Sequence, residues 1–213
     1  MRKTRLDSAR IRAARRVIDP VFLDTPLYRC EALEPDLGCT VSITLETANP
    51  VRSFKAWSGR GRAAVIARHD GIRLVEDSLD LETCEGAATV GLEPVDTVPS
   101  FDAVLIALGG GALATGVGQV VKALAPGVEV ICVQPLGAPA MTHSWRGRRV
   151  AGMRMLLDHA GLVVEPSAAL GIAAILKDRD RFAGRHVVTI VCGGNVDVDA
   201  YHRWVDAAPT HRS

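Results

Sequence analysis

The sequence predicts an α/β protein: an open, mostly parallel twisted sheet with helices on both faces. Short apolar runs alternate with helical patterns along most of the 213 residues, which is the order of elements that builds a parallel sheet. The runs 103–107 and 187–192 are almost entirely apolar, as strands buried on both faces are. No internal repeat or low-complexity linker interrupts the chain. We therefore expect one compact domain over residues 1–213.

The individual elements follow from periodicity and from breaking residues. A helix is expected over 5–17, with Leu6, Ile11, Ala14 and Val17 facing inward at helical spacing. Ser53 is the expected N-cap of a helix that runs to about residue 68. The other expected elements are strands at 40–45, 72–75, 103–107, 128–133 and 187–192, and helices at 82–92, 113–124, 138–146, 152–160 and 167–176.

Composition excludes several classes of function. The net charge is +1 and aromatic residues make up 4% of the chain, so neither a general electrostatic field nor stacking platforms favour nucleic acid or a membrane surface. The basic start, residues 1–16, could be a nucleic-acid arm, but the solvated face of a helix explains it more simply. Five scattered cysteines without metal-ligand spacing favour a reducing, cytoplasmic location.

A glycine cluster follows the strand at 103–107. Gly109, Gly110 and Gly111 lie directly between this strand and the next helix. Exposed backbone amides and the positive end of a helix dipole together form a cradle for an anion, and phosphate suits it best. A tight strand-to-helix turn is the alternative, although one or two glycines would serve for that. The spacing is that of neither a dinucleotide nor a nucleoside-triphosphate motif.

Two reactive side chains complete the pattern. Cys192 ends the strand at 187–192 next to two glycines, where it is either a ligand contact or a buried core cysteine. Lys55 is one of only four lysines among 25 basic residues. Without other evidence, the simplest interpretation of Lys55 is a surface lysine. Together with a phosphate cradle it suggests pyridoxal phosphate, because an amine can capture the aldehyde while the glycines hold the phosphate.

The motifs in their order resemble those of the threonine/serine dehydratases, which are fold type II (tryptophan-synthase-β-like) pyridoxal-phosphate enzymes. The matching segments are Thr25–Leu27, Asn49–Lys55, Gly109–Leu113, Val164–Ser167 and Cys192–Asn195. The sequence thus looks like a shortened form of that family. The family's Ser-(Ala/Gly)-Gly-Asn-His loop has no counterpart here, and a second jump lies near residues 150–152. Residues 40–68 then correspond to a remnant of the family's small domain.

The resemblance implies a role for each candidate residue. Lys55 would bind the cofactor covalently and then take the proton from the substrate Cα. The phosphate would be held by Gly109, Gly110, Gly111 and Ala112, where the family usually has a fourth glycine. Cys192 would face the pyridine nitrogen as a neutral partner. Ser53, Phe54 and Leu113 complete the predicted cofactor site.

The resemblance also implies a reaction, a cation and a quaternary state. The reaction is β-elimination from a hydroxy amino acid such as L-threonine or L-serine, giving a 2-oxo acid and ammonia. A non-catalytic remnant that binds cofactor or a partner, and a serine-racemase-like activity, are the alternatives. Glu93 matches a carboxylate that binds a monovalent or divalent cation in relatives. A homo-oligomer is expected, because relatives are commonly dimers or tetramers.

Overall fold

The computed structural model describes residues 6–54, 80–134 and 143–206. Its centre is a five-stranded sheet in the order β1-β2-β5-β3-β4. The strands are β1 (Leu27–Arg29), β2 (Thr40–Leu45), β3 (Ala103–Ala107), β4 (Glu129–Val133) and β5 (His186–Val191). Only β1 runs antiparallel to its neighbour, with Leu27 opposite Thr44; the other pairs are parallel. The predicted mostly parallel sheet is confirmed.

Helices cover both faces of this sheet. They are α1 (Ser8–Ala14), α2 (Glu34–Leu37), α3 (Leu81–Thr97), α4 (Ala112–Leu124), α5 (His143–Ala160), α6 (Leu170–Lys177), α7 (Arg179–Phe182) and α8 (Val198–Val205). Gly118 of α4 approaches Val130, which pairs with Val104 of β3. Gly171 of α6 lies against Leu105, the next residue of β3. Because successive strand residues point to opposite faces, α4 and α6 lie on opposite sides.

Two close helix contacts depend on glycine. A Cβ on Gly116 of α4 would stand 2.5 Å from the Cys84 carbonyl oxygen and 2.8 Å from the Ala88 nitrogen of α3. A Cβ on Gly152 of α5 would stand 2.9 Å from the Ala169 oxygen. Both pairs of elements therefore meet backbone against backbone. The α3–α4 contact is what holds the helix behind the predicted glycine cradle.

Several predicted boundaries were wrong. Helix α1 begins after Asp7, whose Oδ1 accepts hydrogen bonds from Ala9 N and Arg10 N at 2.9 and 3.0 Å, and it ends at Ala14. The chain then turns, so Val17 is 84% exposed rather than facing inward. The predicted helices at 138–146 and 152–160 are one helix from His143, since Gly152 continues the helix and serves packing; residues 138–142 lie outside the described ones.

The first segment of the predicted small-domain remnant is an internal strand. β2 pairs with β1 on one side and along its whole length with β5 on the other. The rest of residues 40–68 lies mostly outside the described residues, as does the predicted strand 72–75. The assignment of this segment to a former small domain stays a prediction. No helix in the described ranges is long and apolar enough to cross a membrane.

Candidate active site

The glycine cluster forms the turn from β3 into α4. Leu108 N donates to Val133 O at 2.9 Å, which keeps the strand paired up to the turn. Gly111 is the N-cap residue of α4 and has φ of +105°, a conformation that favours glycine. Because glycine has no side chain, the N-cap position offers no acceptor to the first amides of the helix. These amides and the helix dipole are directed at the space beyond the turn.

The cradle works through its backbone. Ala112 and Leu113 are buried, so their side chains serve the core and only their amides can serve a ligand. A Cβ on Gly109 would meet no atom within 4 Å among its surroundings, so the turn opens onto free space. An anion is stabilised at such an uncapped helix start. An uncapped helix start of this kind suits a phosphate group, and phosphate binding at this turn stays a prediction.

The carboxyl end of β5 lies beside this cradle. One cleft is lined by Phe54, Ala107, Gly109, Gly110, Gly111, Ala112, Leu113, Glu165, Ser167 and Cys192. Strands β3 and β5 are adjacent and parallel, so their carboxyl ends, with the two glycine clusters, come to the same edge. The structure therefore brings together the cradle, the Cys192 position and Phe54. Cys192 is buried, with 2% of its surface exposed.

The segment before Lys55 is attached to the chain that follows β5. Phe54 N donates to Cys192 O at 3.1 Å, and Gly194 N donates to Arg52 O at 2.9 Å. Ser53 and Gly193 form an antiparallel bridge between these contacts. Ser53 Oγ also donates to Cys192 O at 3.4 Å, so the residue predicted as a helix N-cap serves a strand-like contact. Lys55 itself and the predicted helix after it lie outside the described residues.

Glu165 and Ser167 also line the cleft, and sequence reasoning gave neither a role. Glu165 N donates to Gly193 O at 3.0 Å, and a Cβ on Gly193 would stand 2.6 Å from the Glu165 Cδ atom. Ser167 Oγ donates to Glu165 Oε1. The prediction that Ser167 lies in the first turn of a helix was wrong: residues 167–169 form a turn, and α6 begins at Leu170. The motif Val164–Ser167 was the available signal.

Glu93 lies elsewhere, in a buried cluster with Thr25 and Glu46. Thr25 Oγ1 is 2.8 Å from Glu93 Oε2 and 3.0 Å from Glu46 Oε1. Burial and the neighbouring Glu93 raise the pKa of Glu46 to about 7, and burial also raises the pKa of Glu93. In the described ranges no group of three or more His, Cys, Asp and Glu side chains could hold a metal ion. A cation at Glu93 stays a prediction.

Comparison with known sequences agrees with these features. The family model described as pyridoxal-phosphate dependent enzyme matches residues 57–152. L-threonine ammonia-lyase of Thermotoga maritima is 28% identical over 183 residues, 66% of this chain and 45% of that protein. Phenylserine dehydratase of Ralstonia pickettii is 30% identical over 181 residues, 65% of this chain and 56% of that protein. The chain thus spans about half the length of these relatives.

Solved structures share the fold. Maize serine racemase superposes with a TM-score of 0.79 at 18% identity, covering 94% of this chain and 98% of the other. Threonine deaminase isoform 2 of Solanum lycopersicum superposes with a TM-score of 0.77 at 18% identity, covering 96% and 95%. The overall fold of this chain is therefore that of these two solved structures.

In sequence, this chain is similar to threonine dehydratase-like enzymes over about two thirds of its length. The matched family depends on pyridoxal phosphate, which confirms the predicted cofactor at the level of the family.

Proposed function

We propose that this chain binds pyridoxal phosphate and catalyses β-elimination from a hydroxy amino acid such as L-threonine or L-serine, giving a 2-oxo acid and ammonia. When bound, the cofactor supplies a sink for the electrons that the substrate Cα retains after it loses its proton. The observation that carries the proposal is the single cleft shared by the uncapped glycine turn, Cys192 and Phe54. Relatives named as a threonine ammonia-lyase and a phenylserine dehydratase support the reaction type.

Each residue has a defined task in this proposal. The backbone amides of residues 109–113 would hold the phosphate, and Phe54 would contribute an apolar wall of the cleft. Cys192 would supply a neutral thiol as the partner of the pyridine nitrogen, which would limit the protonation of that nitrogen and favour elimination over transamination. Lys55, which follows Phe54 directly, holds the cofactor covalently and takes the Cα proton. Glu165 stands at the rim of the same cleft and can accept a hydrogen bond there.

Two specific observations keep alternatives open. Serine racemase of Oryza sativa subsp. indica is 26% identical over 62% of this chain, which favours a racemase-like outcome on serine. The family's asparagine loop has no counterpart in the sequence, and the chain spans about half of its relatives. Those facts favour a module that binds cofactor without turnover. A cytoplasmic location and self-association also remain proposals.

The test compares the purified chain with Lys55→Ala after addition of pyridoxal phosphate. The wild type is expected to absorb as a lysine-bound cofactor, and borohydride should leave a permanent mass increase on Lys55. Incubation with L-threonine should release 2-oxobutyrate, and with L-serine pyruvate, each with ammonia. Equal absorbance in the two proteins would contradict the proposal. Bound cofactor without oxo acid would identify a binding module, and D-serine on chiral analysis would identify a racemase.

A further inference from the structure

The loop that leads from β2 to Phe54 is organised by one buried amide. Asn49 is 6% exposed. Its Nδ2 donates to Glu46 O at 2.9 Å and to Ser53 O at 3.1 Å. Its Oδ1 accepts from Val51 N at 3.0 Å and from Ser53 N at 3.3 Å. The side chain thus uses both donors and both acceptor positions within its own loop.

The same loop contains a backbone conformation that needs support. Arg52 has φ of +54°, in the left-handed region that residues other than glycine rarely adopt. Such a residue persists only where its surroundings fix it. Arg52 N donates to Asn49 O at 2.9 Å, and the two residues beside Arg52 both donate their amides to Asn49 Oδ1. Asn49 therefore holds the turn on both sides of the unfavourable residue.

The outer edge of the loop is fixed separately. Asn195 Nδ2 donates to Val51 O at 2.9 Å, and the backbone contacts to residues 192–194 hold Arg52, Ser53 and Phe54. The Asn49 side chain binds the backbone of its own loop, and the chain after β5 binds the same loop from the neighbouring segment. Together they determine where Phe54 enters the cleft, and so the point from which the next residue, Lys55, begins.

We propose that Asn49 is a positioning residue for the covalent attachment of the cofactor. This rests on the proposed function, because it assigns to Asn49 the placement of the segment that carries Lys55. Asn49 lies outside the set of residues that line the cleft and acts through Ser53 and Phe54. The phosphate cradle belongs to a different segment, so loss of Asn49 should leave phosphate binding nearly intact while it slows attachment at Lys55.

The experiment measures two quantities for each variant. One is the dissociation constant of inorganic phosphate, from calorimetric titration. The other is the rate at which Lys55 gains the borohydride-fixed mass at saturating pyridoxal phosphate. Asn49→Ala is expected to slow attachment about tenfold or more, since misplacement by roughly 1 Å can cost about 10²-fold. The dissociation constant measured for a phosphate-only probe, inorganic phosphate, should change less than threefold.

Two further variants separate positioning from loss of stability. Asp7→Ala removes the cap of α1, far along the chain from the loop, and should lower stability while leaving attachment unchanged. Asn195→Ala removes one exposed hydrogen bond, to Val51 O. It serves as the second variant in case Asn49→Ala does not fold. It should slow attachment by about two- to threefold. A wild-type attachment rate in Asn49→Ala would overturn the proposal, and so would a wild-type rate in Asn195→Ala if Asn49→Ala does not fold. A wild-type chain that gains no mass on Lys55 would instead overturn the proposed function and, with it, this assignment.

Discussion

The buried cluster of Thr25, Glu46 and Glu93 predicts that the protein loses stability as the pH rises. The Thr25 hydroxyl has one proton, and it faces two carboxylate oxygens at 2.8 and 3.0 Å. It can donate to only one of them, so the second contact is a hydrogen bond only when the other carboxyl is protonated and donates in return. Burial raises the pKa of both carboxyls, and Glu93 raises that of Glu46 further, so we expect Glu46 to hold the proton.

The size of the effect follows from the pKa. In the folded protein the pKa of Glu46 is about 7, against an ordinary value of 4.5. Between these values the folded state binds more protons than the unfolded state, so stability falls as pH rises. The contribution is fully present below pH 4.5 and lost by the time the pH passes about 7. At ~1.36 kcal/mol per pH unit of pKa difference, the loss approaches about 3 kcal/mol.

Urea unfolding at pH 5, 6, 7 and 8 tests this, with Glu46→Gln as the partner variant. Glutamine is neutral at every pH and can still donate to Thr25, so the variant should match the wild type near pH 5. By pH 8 it should be more stable by up to about 3 kcal/mol. Taking the difference between the proteins cancels titration of histidines. Glu31→Gln, at an exposed position, is the control for loss of a carboxylate. Equal pH slopes in wild type and Glu46→Gln would refute the reasoning.

Three other predictions concern glycines. Gly171→Ala places a Cβ on the Thr189 hydroxyl and should lower the free energy of unfolding in urea by about 2–3 kcal/mol. Adding Thr189→Ala should recover about 1 kcal/mol or more. Strictly additive effects of the two substitutions would count against this contact. Gly111→Ala should cost about 1–2 kcal/mol because of the +105° φ, and unchanged stability would contradict that. Gly109→Ala meets open space, so it should change stability by less than about 0.5 kcal/mol yet weaken pyridoxal phosphate binding severalfold by titration.

The sheet and the meeting of the glycine clusters could be predicted from sequence for a physical reason. Strands β3 and β5 are apolar because both faces are covered, and parallel strands present their carboxyl ends at one edge. A glycine cluster after each strand therefore indicates a shared site without knowledge of the strand order. The N-cap role of Gly111 follows from the same pattern.

Features that depend on long-range contact could not be predicted this way. Two helices, 138–146 and 152–160, were expected where α5 is continuous, and the closeness of Gly152 to Ala169 explains the glycine inside it. Ser53 forms a bridge with Gly193 in the chain after β5, a contact that no local pattern indicates. Glu46 and Glu93 come close together only in the folded protein, so no local sequence pattern indicates that they are neighbours. Lys55 lies outside the described residues, so its role stays a prediction.

Among the five strands that the structure describes, β5 lies between β2 and β3 in the sheet and comes last along the chain. β5 completes the pairing of both neighbours, and the chain just after it anchors the segment that ends at Phe54. On the ribosome, a nascent chain that has already exposed the glycine turn still has no closed cleft, because its central strand has not emerged. Closure of the cleft therefore depends on β5 having joined the sheet. Until β5 has joined the sheet, the edges of β2 and β3 that pair with it stay unpaired.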